Sequence, residues 1–308
     1  MKRSDRKKKS RKLWLKIPLA LLLLVGLGIS GYAYSIYNNA KNTVDVEMNA
    51  PVESIDREVV EKKMETSEPL NILLLGVDER EGDSGRSDAV MVLSLDPKEE
   101  AMQLVSIPRD TLTTMAGRGF EDKINHAYAY GGADMSVATV EDFLDIELDY
   151  YVQMNMEGLT EMVDELGTIT VDNEVAWNDG QYQFEKGPTE MDGDKTMAYV
   201  QMRKQDPNGD FGRQERQRKV IEGIIDEGVS VASVTKINRT IDILGDNMTT
   251  NLEFDDMKKL MNDYMGTRKN ITSYQMAGDG TRIDGIYYLI VPDEEIEKVH
   301  DMVDKREI

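Results

Sequence analysis

The sequence predicts an α/β fold: a three-layer domain with a central mixed sheet flanked by helices, preceded by one N-terminal transmembrane helix. Three observations predict it. Residues 17–40 carry no charge and follow a strongly basic flank. Short, continuously apolar runs such as residues 70–77 (LNILLLGV) read as strands covered on both faces. Helical patterns alternate with those runs as far as the C-terminus.

The first 16 residues hold nine basic side chains against one acid, Asp5, and the apolar run that follows is long enough to cross a bilayer as a helix. The basic flank belongs in the cytoplasm, and Tyr32, Tyr34 and Tyr37 suit the outer interface. A cleaved signal peptide competes with this reading, but the run is long for one and no A-x-A site follows it. The expected organisation is a basic cytoplasmic segment (1–16), an anchor (17–37), a polar stalk (38–68) and an extracytoplasmic domain (69–308). There is no cysteine, which excludes disulfides, thiolate metal sites and a cysteine nucleophile.

The whole chain carries −21, and the leader's excess of eight positive charges leaves −29 on the remainder. So acidic a body argues against nucleic acid as a partner. Any local gathering of arginines therefore stands against the background field.

After Pro69 the strand candidates are residues 70–77, 89–95 and 101–107, with Asp96-Pro97 as a turn between the last two. Helical patterns follow over 124–130, 135–144 and 156–166, with strands near 151–154, 169–171 and 182–184. Further helices are expected over 192–203, 213–227, 233–244, 254–265 and 293–303, and strands near 271–276 and 286–291.

Four charged clusters fall at the ends of these elements. In the first, Asp78 and Asp88 end neighbouring strands and could hold Mg²⁺, while Arg86 offers a planar fork to a phosphate; a solvated acidic loop is the plainer alternative. In the second, Arg109 follows a strand and could reach the same crevice, while Asp110 or Thr111 could cap a helix there. The third supplies Lys123 as a phosphate ligand; His126, beside it, is expected to pack or orient.

The fourth cluster runs from Tyr199 to Gln217. Asp206, Asn208 and Asp210 have the spacing that opens a calcium loop, but Phe211 and Gln217 stand where glycine and glutamate are needed, which excludes one. In the following helix Val220, Ile221, Ile224 and Ile225 mark an inward stripe, and stepping back by turns reaches Gln217 and Arg213. An inward arginine needs a partner, either a bound phosphate or Asp206 or Asp210. Arg216 and Arg218 are expected in solvent.

The order of these motifs resembles the LytR–CpsA–Psr proteins over nearly the whole chain: LLLGVD, GRSDAVMVLSLDP, VSIPRDT, KINHAYAYGG, YVQMRKQDPNGDFGRQERQ and IDGIYYLIV. The resemblance implies a phosphotransferase of Gram-positive cell-wall assembly, single-pass type II in the cell membrane with its catalytic domain outside. Its donor would be a glycopolymer such as wall teichoic acid on polyprenyl diphosphate, and its acceptor peptidoglycan. It implies Mg²⁺ on Asp78 and Asp88, and diphosphate contacts from Arg86, Arg109, Lys123, Arg203, Arg213 and Gln217. Asp78, Asp88 and Arg109 would be catalytic, with Asp88 or Asp78 taking the acceptor's proton. Family members commonly have arginine where this chain has Gln201, a loss that either weakens the grip on the diphosphate or is offset by Lys204. A diphosphate hydrolase and a non-catalytic membrane sensor of envelope precursors are the competing functions.

Overall fold

The computed structural model describes residues 30–78, 85–203, 205–228 and 234–304. The chain divides into two units, Met1–Asn42 and Thr43–Ile308. In the first, the described residues 30–42 are helical, with Tyr32, Tyr34 and Tyr37 exposed. No helix among the described residues is long and apolar enough to cross a membrane. The expected basic segment and residues 17–29 of the expected anchor lie outside the described residues.

The second unit contains β1 (Leu70–Asp78), β2 (Arg86–Asp96), β3 (Ala101–Ser106), β4 (Leu112–Thr114), β5 (Glu121–Lys123), β6 (Tyr150–Asn155) and β7 (Ile169–Asn173). It continues with β8 (Trp177–Asn178), β9 (Gln183–Phe184), β10 (Gly187–Met191), β11 (Met248–Thr250), β12 (Asn270–Gln275), β13 (Asp279–Ile283) and β14 (Ile286–Ile290). Six of them form the central sheet in the order β11-β6-β1-β2-β3-β12. The sheet is mixed: β1 runs parallel to β6 and antiparallel to β2, and β3 parallel to β12.

Alternation sorts the apolar runs between two layers, because successive side chains on a strand point to opposite faces. Leu73, Leu75 and Val77 of β1, with Val90, Val92 and Val105, join one core cluster. The helices His126–Leu144 and Asp293–Val303 cover that face through Val137, Val140, Leu144, Val299 and Val303. Leu70, Ile72, Met91, Leu93 and Leu104 face the other way, against Val60, Met64, Ile221 and Ile225. A third cluster lies outside the sheet, where the helices Met156–Leu166 and Gly193–Gln201 meet β7 and the stacked rings of Trp177 and Phe184.

Residues 43–68 are not a stalk. Asp56 caps the helix Arg57–Glu65, whose Val60 and Met64, four apart, are buried on the sheet. Arg57 reaches the buried Asp256 at 3.0 Å and Lys63 reaches Asp149 at 2.8 Å. The dense charge of this stretch hides a narrow apolar stripe.

Two other expectations change, and one holds. Asp110 and Thr111 begin no helix; β4 and β5 form a small hairpin, and Leu289 N–H donates to the Asp110 carbonyl at 2.9 Å. The two helices expected over 124–144 are both present, separated by a kink where Gly131 and Gly132 leave helical backbone, Gly132 at φ 64°. The last expected strand, β14, pairs with β13 outside the central sheet.

The packing of residues 57–65 is testable. Met64→Ala is expected to lower the unfolding free energy by about 2–5 kcal/mol in urea titrations, whereas a free stalk would leave the midpoint where it was.

Candidate active site

Every candidate site residue found in the sequence lies at one end of the sheet, the carboxyl end of β1, β3 and β6. This is where loops from parallel strands open a crevice. A pocket of about 800 Å³ there is lined by Asp78, Arg86, Asp88, Arg109, Lys123 and Arg203, and also by Asp110, His126, Asp210, Phe211, Arg282 and Tyr287.

Two strand features aim the acids. Alternation puts Asp78 on the same face of β1 as Leu74 and Gly76. In the β1–β2 register Gly76 pairs with Ala89 and Val77 with Ser87, so Asp88 is a bulge residue with no partner. A bulge breaks alternation and re-aims a side chain. Asp78 and Asp88 consequently line both the polar pocket and a second cavity of about 200 Å³, shared with Met156, Val200, Gln201, Arg213 and Gln217.

Beyond that junction lies an apolar cavity of about 140 Å³, whose walls include Leu74, Gly76, Met91, Val152, Met156, Val200, Gln217, Val220 and Ile221. Two facing walls therefore change character in step. Along β1 the order is Leu74, Gly76, Asp78; along the helix Asp210–Gly228 it is Ile221, Gln217, Arg213. The inward stripe expected from helical spacing continues into the charged end as the sequence indicated.

The arginines and acids form one lattice. Arg109 donates to Asp88 at 2.6 Å and lies 3.3 Å from Asp210, which is 3.1 Å from Arg213. Lys123 donates to Asp110 at 2.6 Å. Burial pushes the Arg109 guanidinium down, but Asp210, Asp88 and Asp110 outweigh it and hold it above its ordinary value. Arg213 goes the other way: burial lowers it and Arg109 and Arg203 add to that, against Asp210. The lattice is not saturated, because Arg109 Nε and Arg213 Nε are buried without a hydrogen-bond partner. Buried donors of this kind call for an anion.

The match to known proteins follows from this arrangement. The LytR_cpsA_psr family model matches residues 30–305. The chain belongs to the LytR–CpsA–Psr family. It is 44% identical over 286 residues to the polyisoprenyl-teichoic acid–peptidoglycan teichoic acid transferase TagU of Bacillus subtilis, covering 93% of each chain. The crystal structure of B. subtilis TagU superposes with a TM-score of 0.65 at 39% identity, over 78% of this chain and 99% of that one. TagT bound to LIIa-WTA gives 0.66 at 32% identity, over 77% and 89%.

Set among LytR–CpsA–Psr proteins, this chain's Gln201 is exposed beside the junction, which it lines with Arg213 and Gln217. Lys204, the expected compensating charge, lies outside the described residues.

Arg216 and Arg218 are not in solvent. Arg216 pairs with the buried Asp206 and donates to the carbonyls of Tyr199, at 2.9 Å, and Met202. Arg218 donates to Ser106 at 2.9 Å and to Gln275 at 3.2 Å. The helix Asp210–Gly228 is buried round most of its circumference near its start, so one apolar stripe does not describe it. Asp206 approaches so closely that a Cβ on residue 212 would overlap its carboxylate, which explains Gly212. The two acids weighed as partners divide the work, Asp206 to Arg216 and Asp210 to Arg213 and Arg109.

Arg282 and Tyr287 were missed as site residues, although their signal was readable. Asp284-Gly285 between Ile283 and Ile286 is a two-residue hairpin turn, with φ 50° and 84°. Asp110 and Asp210 give no local sequence signal for their role.

Scaffold and site separate by mutation. Arg216→Ala should cost roughly 3–5 kcal/mol in urea unfolding, because it strands a buried carboxylate. Arg86→Ala, at an exposed position, should stay within about 0.5 kcal/mol.

Proposed function

We propose that this chain transfers a phosphate-linked glycopolymer, wall teichoic acid or a similar anionic polymer, from a polyprenyl-diphosphate carrier to peptidoglycan. The observation that carries the reading is the stepped lining: an apolar cavity, a junction holding Arg213, Gln217, Asp78 and Asp88, then a polar pocket. Only a ligand with a greasy tail, a charged bridge and a polar head matches all three parts. The relatives named as teichoic acid transferases support the choice of substrate.

In this proposal the tail lies along Leu74, Val152 and Ile221, and the diphosphate meets the unsatisfied Nε donors of Arg109 and Arg213. Arg86, Lys123 and Arg203 line the pocket side and would meet the phosphate attached to the sugar. Guanidinium and ammonium groups fixed in this way stabilise charge that grows on the leaving oxygen, the main requirement of phosphoryl transfer. Asp78 and Asp88 are hard oxygen donors on one wall, a set that suits Mg²⁺, which needs few carboxylates when phosphates complete its shell. When bound, the ion supplies further neutralisation of phosphate charge.

We place this chemistry outside the cell, with residues 1–16 cytoplasmic, 17–37 as a single type II anchor, and the catalytic domain from Thr43 onward. Support comes from the basic flank and the uncharged run after it. The acceptor, a peptidoglycan sugar hydroxyl, would enter through the polar pocket.

The test is direct. Full-length protein in detergent is given lipid-diphosphate-linked polymer, Mg²⁺ and peptidoglycan oligomers, and the expected product is polymer joined to peptidoglycan. Polymer released into water would mean a hydrolase, and bound but unchanged donor a sensor. Arg109→Ala and Asp88→Ala should each lower transfer by about 10²–10³-fold while leaving the circular dichroism spectrum intact. Chelation by EDTA should abolish transfer, and added Mg²⁺ should restore it.

A further inference from the structure

The geometry points to His126 as the group that takes the proton from the attacking hydroxyl, with Asp122 fixing its tautomer; this rests on the transferase reading above. His126 was expected to pack or orient, but it lines the polar pocket, with its side chain 26% exposed. Asp122 Oδ2 lies 2.9 Å from His126 Nδ1 and accepts from the Tyr130 hydroxyl at 2.6 Å, while Oδ1 accepts from Lys123 N–H at 2.8 Å. Burial opposes ionisation of Asp122, but the bonds from Tyr130, His126 and Lys123 N–H outweigh it and hold the carboxyl below its usual range. An ionised carboxylate only accepts hydrogen bonds. Nδ1 therefore carries a proton, and in the neutral ring Nε2 is the nitrogen with the lone pair that a general base needs.

The position of His126 is fixed from the site itself. The preceding residue, Asn125, donates from its N–H to the Arg109 carbonyl at 3.3 Å, and its carbonyl accepts from Ser87 Oγ at 3.4 Å. The helix start bearing His126 is thus tied to Arg109 and to the neighbour of Asp88. Asp88, one of the two acids considered for this task from sequence, is already engaged by Arg109 at 2.6 Å.

In the step, the acceptor oxygen forms a bond to the phosphorus that carries the sugar, and its proton passes to His126 Nε2. The bond from that phosphorus to the bridging oxygen breaks, and the electron pair leaves on polyprenyl monophosphate. Asp122 faces the imidazolium until it returns the proton to solvent.

The test compares full-length wild type, His126→Ala and Asp122→Asn in the transfer assay. His126→Ala should lower kcat by roughly 10²–10⁴-fold with the donor KM unchanged, and free imidazole should restore part of the rate. Asp122→Asn, which keeps the ring but loosens its tautomer, should also lower kcat. If His126→Ala melts early, His126→Gln carries the same kcat comparison. Wild-type kcat in the His126 variant, or a loss that imidazole does not repair, overturns the assignment while leaving the transferase reading in place. No transfer by the wild type overturns both.

Discussion

The site depends on a guanidinium lattice that its own acids only partly satisfy. Arg109 lies between Asp88 and Asp210, and Arg213 shares Asp210, yet both arginines keep a buried Nε without a hydrogen-bond partner. Desolvating a cation costs free energy unless charge and hydrogen bonds offset it. Asp88, Asp110 and Asp210 supply the opposite charge that holds the arginines in place. They leave donors over for a more concentrated anion, and a diphosphate is one. In a body of charge −29 this local balance, rather than the long-range field, is what can hold an anionic bridge.

The rest of the architecture serves that lattice. Strand alternation turns β1 from Leu74 to Asp78 within one face, and helical spacing turns the facing helix from Ile221 through Gln217 to Arg213. A bulge brings Asp88 out of register beside them. Behind the site, the Arg216–Asp206 pair ties the end of the helix Gly193–Gln201 to the helix Asp210–Gly228, with Gly212 allowing the close approach. The arginines of one sequence run thus divide by depth: Arg203 and Arg213 line the cavities, whereas Arg216 and Arg218 hold the scaffold.

Much of this was legible in the sequence because local periodicity carries it. The continuous run at residues 70–77 gave a doubly covered strand, and the helices Met156–Leu166 and Asp293–Val303 matched their patterns. The convergence of Asp78, Asp88, Arg109 and Arg213 was legible from their places at element ends. What was not legible depends on contacts far apart in the chain. Val60 and Met64 looked like part of a charged stalk until the sheet was there to cover them. Arg216 looked solvated because its partners, the carbonyls of Tyr199 and Met202, leave no mark on side-chain pattern. Asp122 and His126 are four apart, but their contact at 2.9 Å beside the pocket needs the β4–β5 hairpin and the helix start together.

The most direct measurement is a crystal structure of the protein with a short-chain polyprenyl diphosphate. The account predicts the diphosphate within hydrogen-bond distance of Arg109 Nε and Arg213 Nε, with the isoprenoid chain between Leu74 and Ile221. A diphosphate seated away from both arginines, or a tail lying outside that apolar cavity, would contradict it.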